Sequence, residues 1–545
     1  MGQRKKMRKS MLTTAAVALG SGLLLTGCAS GGSQSGSSSS GSDQPVTLSI
    51  FTPGTKSLLQ SSSFTKLMDK KLNVNIQFQV ASQDAATEKQ QLLLSSGDYP
   101  DVIMPITWND PISQTDVLKY GQEGVFIPLN QLIDQYAPHI KKLLQTNKYF
   151  KEDVTAPDGN IYSLGEINEC YHCQFPDKMW INQTWLKKLG LKMPKTPAQF
   201  EQVLEAFKND DPNGDGKKDE IPLSGANTLS GTHIDVFLMN AFIADDDDYY
   251  FTVNNDKLGF AANQPQWKEG LEYLHSLYAK GLIDPAAITQ DGTAYQKEGE
   301  HAGVEILGAG AAEHPAEFTD STRYKDYVAV PPLTGPNGKS YANYVPWNAP
   351  ADFVITNKAS KQEAIAAIKL MDYIYSPQGM IRSQYGVEGT DWETAGAKDV
   401  ALGGHKALYK MITRPANAKP TNNTWGLEWY KPTGMRKSWA YNTNANAADG
   451  SGYERKLFDA TEEDYMGHQR PEVVPQSLWI DPSQADEASL LQTNITNYVQ
   501  QNMYQFITGA KNINKDWNAY VAGFNGLGLS KYLQIYQNAY DQTVK

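Results

Sequence analysis

Asp211, Asn213 and Asp215 place side-chain oxygens at every second position of the run Asp211-Pro-Asn-Gly-Asp-Gly-Lys-Lys-Asp-Glu220, which also carries Gly214 and Gly216. That alternation suits one chemistry. Oxygens at the first, third and fifth positions of a loop that folds back on itself converge on a hard cation. Gly216 gives the bend at the sixth position, and Lys217 offers its backbone carbonyl at the seventh. The expected ion is Ca2+, held as a structural clamp over residues 211–220. At position twelve, where a standard loop closes with glutamate, this chain has Pro222, so the closing carboxylates are Asp219 and Glu220. Ile221-Pro222-Leu223 then reads as an extended segment instead of an exiting helix. The alternative is a solvated Asx turn that binds nothing.

Cys170-Tyr-His-Cys173 is the second cluster able to do chemistry. In a reducing compartment the spacing suggests a redox pair or half a zinc site. No second pair completes four ligands, and His172 between the cysteines is badly placed to share their metal. A disulfide closing a tight loop is the favoured reading, with thioredoxin-like catalysis as runner-up.

The elements around these clusters follow from periodicity. Thr196-Pro-Ala-Gln199 reads as a capping box with proline at the first helical position, opening a helix through Phe200, Val203, Leu204 and Phe207 that delivers the chain into the loop. From Val46 onward, strand-like and helix-sized segments alternate: Val46 to Phe51, helical spacing at Phe64 to Leu72, period two over Val74 to Val80, and the run Asp101 to Met104. Pro157-Asp-Gly-Asn160 is a strong turn. Phe353-Val-Ile355 leads into a helix over Lys361 to Tyr375, ended by Pro377. Near the C-terminus, Asp481-Pro482 opens a helix with the apolar stripe Leu490, Leu491, Ile495, Val499, Met503 and Phe506, closed by Gly509, and a helical pair follows. The pattern is α/β.

The 545 residues, 40% hydrophobic and 20% charged, suffice for one large or two medium cores. The formal net charge of -11 becomes more acidic once the leader with Arg4, Lys5, Lys6, Arg8 and Lys9 is set aside, which disfavours nucleic acid. That leader precedes a short apolar run, Met11 to Leu25, ending Leu25-Thr-Gly-Cys28. The order reads as a signal peptide over 1–28 with lipidation of Cys28. Residues 29–45 are a Gly/Ser tether of roughly 20 to 25 Å average span.

The lipobox, tether, α/β pattern and calcium loop together resemble the extracellular solute-binding lipoproteins of carbohydrate ABC transporters, in particular the LipO-like and alginate-binding-protein-like members of solute-binding family 1. The phrases that carry the likeness are Trp185-Leu-Lys-Lys-Leu-Gly-Leu191, the calcium run, Tyr385-Gly-Val-Glu-Gly389 and Phe506-Ile-Thr-Gly509 with Trp517 and Ala539-Tyr-Asp541 after it. The resemblance implies a periplasmic-binding-protein type II fold, maltose-binding-protein-like, of two α/β lobes joined by three crossovers. Lobe one falls at 46–165 and 348–386, and lobe two at 170–345 and 392–545. It also implies Ca2+ on Asp211, Asn213, Asp215, the Lys217 carbonyl, Asp219 and Glu220. The protein is then a monomer on the extracellular face of the cell membrane, anchored by lipid, that hands an oligosaccharide to permease subunits.

A sugar site needs aromatic platforms beside planar polar groups. The candidates are Trp108 with Asn109 and Asp110, then Glu169, Tyr171 and His172 near the first crossover, Trp347 with Asn348 before the second, and Glu388 and Trp392 at the third; Trp425 and Trp429 are weaker. Core or surface packing is the competing role for each aromatic. Two other functions stay open: an anchored glycoside hydrolase, for which 60 acidic residues always allow a pair to be imagined but no partner of Glu388 is evident, and a peptide-binding or adhesion lipoprotein.

Overall fold

Val46-Thr-Leu-Ser-Ile-Phe-Thr-Pro53 and Val74-Asn-Ile-Gln-Phe-Gln-Val-Ala81 lie side by side as parallel strands, Val46 opposite Val74 through Pro53 opposite Ala81. Their alternating apolar residues build the first half of the molecule, seen in a computed structural model that describes residues 44–106, 111–167, 169–228, 231–412, 415, 418, 421–424 and 451–544. Trp108, Asn109 and Asp110, the lipidation residue Cys28, and Trp425 and Trp429 lie outside the described residues. Pro45–Lys545 cluster as one unit and Met1–Gln44 as another.

The strands, in chain order, are β1 Val46–Pro53, β2 Val74–Ala81, β3 Val102–Ile103, β4 Ser163–Gly165, β5 Lys178–Asn182, β6 Ile221–Ser224, β7 Phe251–Asn254, β8 Lys257–Phe260, β9 Leu307–Ala312, β10 Tyr327–Val330, β11 Ala351–Ile355, β12 Trp392–Thr394 and β13 Tyr409–Met411. They form two main sheets, β2-β1-β3-β11-β4 and β10-β5-β9-β6, and two hairpins, β7-β8 and β12-β13. In the first sheet β1 runs parallel to β2 and β3, while β11 returns antiparallel, its Ala351 end beside Gly165 of β4. In the second, β6 and β9 are parallel, and β5 runs against β9 with Lys178 opposite Ala312.

Each sheet has its own core. Leu48, Ile50, Ile76, Phe78, Phe353 and the buried face of the helix Lys361–Tyr375 pack about the first. Trp180, Phe207, Leu223, Trp267 and the buried faces of the C-terminal helices Ala485–Ile507, Ile513–Gly526 and Leu529–Val544 pack about the second. Ser360 and Glu363 cap the helix Lys361–Tyr375 reciprocally; Pro377 does end it but also starts the next helix, Pro377–Tyr385. At Pro197–Asn209 the reciprocal half of the capping box is displaced by one residue, since Gln199 accepts from the Lys195 amide and Thr196 from Gln199. Leu490 leaves the expected apolar stripe and is 62% exposed, because the helix turns that position to solvent while Ile495, Val499, Met503 and Phe506 face inward.

The edge where β1, β2 and β3 end is also where residue 166 leaves β4 and where residue 350 enters β11. The second sheet offers the edge where β6 and β9 end and β5 begins. Residues 166–177 and 331–350 therefore run from one edge to the other. Over 478–480 side chains alternate: Leu478 and Ile480 pack on the second core, while Trp479 belongs to a further buried cluster that includes Phe51, Ile103 and Val354 of the first sheet. Within 392–424, assigned by sequence to the second lobe, Asn423 and Thr424 hold to the first side: Ser62 donates to the Thr424 carbonyl, and Arg382 donates to the Asn423 carbonyl and to Ser63.

Candidate functional site

In an open α/β sheet a ligand meets the carboxyl ends of the parallel strands, where loops of free sequence converge. Both sheets turn such ends toward the passages that join them. On the first side, Pro53 to Lys56, Ala81 to Gln83 and Ile106 enclose a cavity of about 450 Å3. The helix Lys148–Val154 supplies Tyr149 and Asp153. Tyr149 donates to Glu169 at 3.4 Å, and its ring lies 6.3 Å from that of Trp347. Asp153 accepts from the Ala349 amide at 2.6 Å, and burial lifts its carboxyl to about 6. This pins the second passage just beyond Trp347 and Asn348.

Trp347 is half-buried, yet its indole nitrogen is shielded from solvent without a hydrogen-bond partner. Glu169 is 9% exposed. Two residues on, Tyr171 donates to Glu462 and stacks near Phe458, with centroids 4.9 Å apart. His172 is buried, its Nε2 3.9 Å from Glu313 and its Nδ1 3.7 Å from Glu454. Cys170 and Cys173 are joined as a disulfide, which folds 170–174 into a tight turn and sets Cys170 Sγ 3.6 Å from the His172 ring. Glu169, Tyr149 and Trp347 thus share one locality, and Tyr171 and His172 follow along the same passage. Glu388 and Trp392 make their described contacts elsewhere. The Trp392 indole donates to the Gly386 carbonyl and meets Tyr409 edge-on, while Glu388 accepts from Thr394 within the same hairpin.

The second edge contributes groups that sequence reading passed over. Asp177, just before β5, accepts from Asn343 at 2.7 Å, and burial lifts it to about 6. His233, in the connection after β6, pairs with Asp247; burial pulls the imidazole down, but the carboxylate outweighs it and carries it to about 9. After β9 come Glu313, His314 and Glu317. Burial and then the charge of Glu313 raise Glu317 to about 8, whereas burial lowers His314 to about 4. His314 meets Tyr453 edge-on at 5.4 Å. Lys178 beneath them is desolvated to about 8 and donates to the carbonyls of His172 and Phe175. The surface alternates donors, acceptors and aromatic edges, with the Glu317 carboxyl raised above neutral. Such a surface suits a neutral polyhydroxylated ligand, whose hydroxyls both donate and accept. Glu313, His314 and Glu317 follow β9 closely, a place that has meaning only once the strand order is known.

The 211–220 loop lies away from both edges, between the helix Pro197–Asn209 and the start of β6. Asp211 accepts from the Gly214 and Gly216 amides, Asn213 from Asp215, and Asp215 from Lys217, so the carboxylates already line a closed turn with Asp211, Gly214 and Gly216 at positive φ. Lys217 Nζ sits 2.6 Å from Asp215 and 3.8 Å from Asp219. Glu220 Oε1 is buried with no partner, and burial followed by Asp211, Asp219 and Asp215 raises that carboxyl. An orphaned oxygen beside a ring of hard donors fits a cation. Among the described residues, three ligand atoms within 4.8 Å occur at Cys170, His172 and Cys173, where the sulfurs are spent on each other.

Residues 55–381 match the family described as bacterial extracellular solute-binding protein. The chain is 32% identical over 499 residues to the fructooligosaccharide ABC transporter substrate-binding protein FusA of Streptococcus pneumoniae serotype 4, covering 90% of this chain and 87% of FusA. The structure of FusA in complex with kestose superposes with a TM-score of 0.72 at 30% identity, over 91% of this chain and 99% of that one. A FusA EF-hand mutant in complex with fructo-nystose gives the same TM-score at 29% identity and the same coverage.

Proposed function

The chain belongs to the bacterial extracellular solute-binding proteins, and from that premise we propose that it captures a neutral oligosaccharide, of fructooligosaccharide type, for an ABC transporter permease. The observation that carries the reading is the pair of strand-end edges, joined by passages that bear Glu169, Tyr171, His172 and Trp347, in a chain 32% identical to a fructooligosaccharide-binding relative. Trp347 offers the ring face; Glu169, Asn348, Asp177, His233 and Glu317 offer hydroxyl partners; Trp108 and Asn109, outside the described residues, are candidates from sequence alone. The two lobes close on the sugar, the first comprising 46–165 and 348–386 with the stretch 391–424 added, the second 170–345 and the remainder. The protein acts by binding and leaves the glycosidic bonds intact.

Ca2+ serves the second lobe as a clamp on Asp211, Asn213, Asp215, the Lys217 carbonyl, Asp219 and Glu220, with Lys217 Nζ moving aside. The ion neutralises crowded carboxylates and stiffens the turn. Cys28 carries the lipid that anchors a monomer at the outer face of the membrane. No helix among the described residues is long and apolar enough to cross a membrane. Calorimetric titration with kestose, nystose, maltotriose and a tripeptide tests the reading: kestose or nystose binds at micromolar concentration and leaves unaltered. Binding only of the tripeptide, or release of fructose by pure protein, overturns it.

A further inference from the structure

A second cavity, of about 390 Å3, is walled in part by the passage at Tyr341–Tyr344. Its other walls are the chain from Asn240 to Asp246, strand β7 and the return from Arg470 to Leu478. Asn343 and Tyr344 belong both to this cavity and to the edge described above, since Asn343 donates to Asp177 and Tyr344 accepts from Gln174. Ile243, Phe251, Val474 and Leu478 give the cavity apolar surface.

One polar atom of the wall residues has no hydrogen-bond partner. Asp245 is 1% exposed; its Oδ1 accepts from the Asp247 amide at 3.1 Å, and its Oδ2 is buried without a partner. Arg470 is engaged by comparison, donating to Asn240 Oδ1 at 3.0 Å with its guanidinium 4.6 Å from the Tyr341 ring centre. A buried carboxyl oxygen left unmet is a costly arrangement that a ligand can relieve. Burial, with Asp235, Asp247 and Asp246 nearby, holds the Asp245 carboxyl well above its ordinary value. Asp246 and Glu472 outnumber Arg470 along the wall, which disfavours an anion.

We propose that this cavity binds an uncharged sugar ring, with Asp245 holding a ring hydroxyl and Ile243, Phe251 and Leu478 covering the apolar face. This rests on the reading that the protein binds oligosaccharides. Its size falls in the range of small-ligand pockets. The ring comes either from the far end of the oligosaccharide in the cleft or from a separate short sugar, and stoichiometry separates the two.

Val253→Trp tests it, because Val253 lies half-buried at the rim on the β7-β8 hairpin, where an indole fills the cavity without entering the core. Asp245→Asn removes the acid at nearly constant shape. Both variants and the parent are titrated by calorimetry with sucrose, kestose, nystose and longer fructooligosaccharides. If the ring belongs to the same chain, both variants lose about tenfold or more in affinity for the longer members and little for kestose. If it is a separate sugar, the parent shows two sites per protein and Val253→Trp shows one. Isotherms of Val253→Trp that match the parent for every sugar overturn the proposal, as does a loss shared equally by all lengths. A parent that binds none of the series fails the oligosaccharide reading itself, which its own isotherm reveals.

Discussion

The rings of Tyr149 and Trp347 lie 6.3 Å apart at an interplanar angle of 50°, one from a helix of the first body and the other from the passage that leads back into it. Tyr149 also reaches Glu169 on the other passage, so a single side chain touches both. The Trp347 indole stands beside both passages, where the proposed function places the ligand. Trp347→Ala should weaken oligosaccharide binding by about 1 to 3 kcal/mol while costing less stability than the ~3 to 5 kcal/mol of a core tryptophan. Calorimetry and melting of the same samples decide; retained affinity with collapsed stability rejects the assignment.

Calcium should stabilise the fold without contributing to sugar contact, since the 211–220 loop adjoins β6 at its start and the candidate site adjoins β6 at its end. At a hundred times its dissociation constant a ligand adds about 2.7 kcal/mol. A chelator therefore lowers the melting temperature of the parent, and Asp215→Ala or Glu220→Gln removes the response. A parent indifferent to chelator in metal-free buffer defeats the clamp.

Melting should also depend on pH with a definite sign. Glu317 at about 8 and His233 at about 9 both lie above their unfolded values, about 4.3 and 6.5. The folded protein thus holds more protons than the unfolded chain between those limits, and stability falls as pH rises through them. For His233 the contribution is complete below about pH 6.5 and is lost on rising through 9. The melting temperature should be higher near pH 6 than near pH 8, and His233→Gln should flatten the slope. A melting temperature that climbs over that interval contradicts the assignment.

The Cys170–Cys173 disulfide fixes the turn that presents Tyr171 and His172. Closing so short a loop adds on the order of 2 kcal/mol, so the double Cys→Ser variant folds. Its affinity for kestose should fall several-fold, mostly through faster dissociation. Affinity equal to the parent would make the bond a matter of stability alone.

Under the proposed lipidation, replacing Cys28 with Ala should release the protein from the membrane fraction and leave sugar affinity unaltered, because the Gly/Ser-rich sequence 29–45 lies between Cys28 and β1. Fractionation followed by titration of the released protein checks both halves. Persistent sedimentation with membranes counts against lipidation at Cys28.

Much of the architecture is legible in local pattern. The period of two in β2 and the capped helix Lys361–Tyr375 need no tertiary information, whereas β3, only two residues long, takes its place from the neighbours β1 and β11. Leu490 misleads because two adjacent apolar residues cannot both face inward at that point of the helix. The passages could be suspected from aromatic residues beside prolines. His233, Asp247 and Glu317 could not, since nothing local marks residues brought together from three separate connections.

Leu478 and Trp479 carry a mechanical consequence. The indole of one is buried among Phe51, Ile103 and Val354, while its neighbour packs on the opposite core. Successive Cα atoms are about 3.8 Å apart, so at this point the two bodies have no slack to slide. Displacement there requires extracting a tryptophan, but rotation does not. A relative motion of the two bodies that keeps this indole buried must turn about the pair, so that nearby contacts shift least and atoms across the cleft travel furthest.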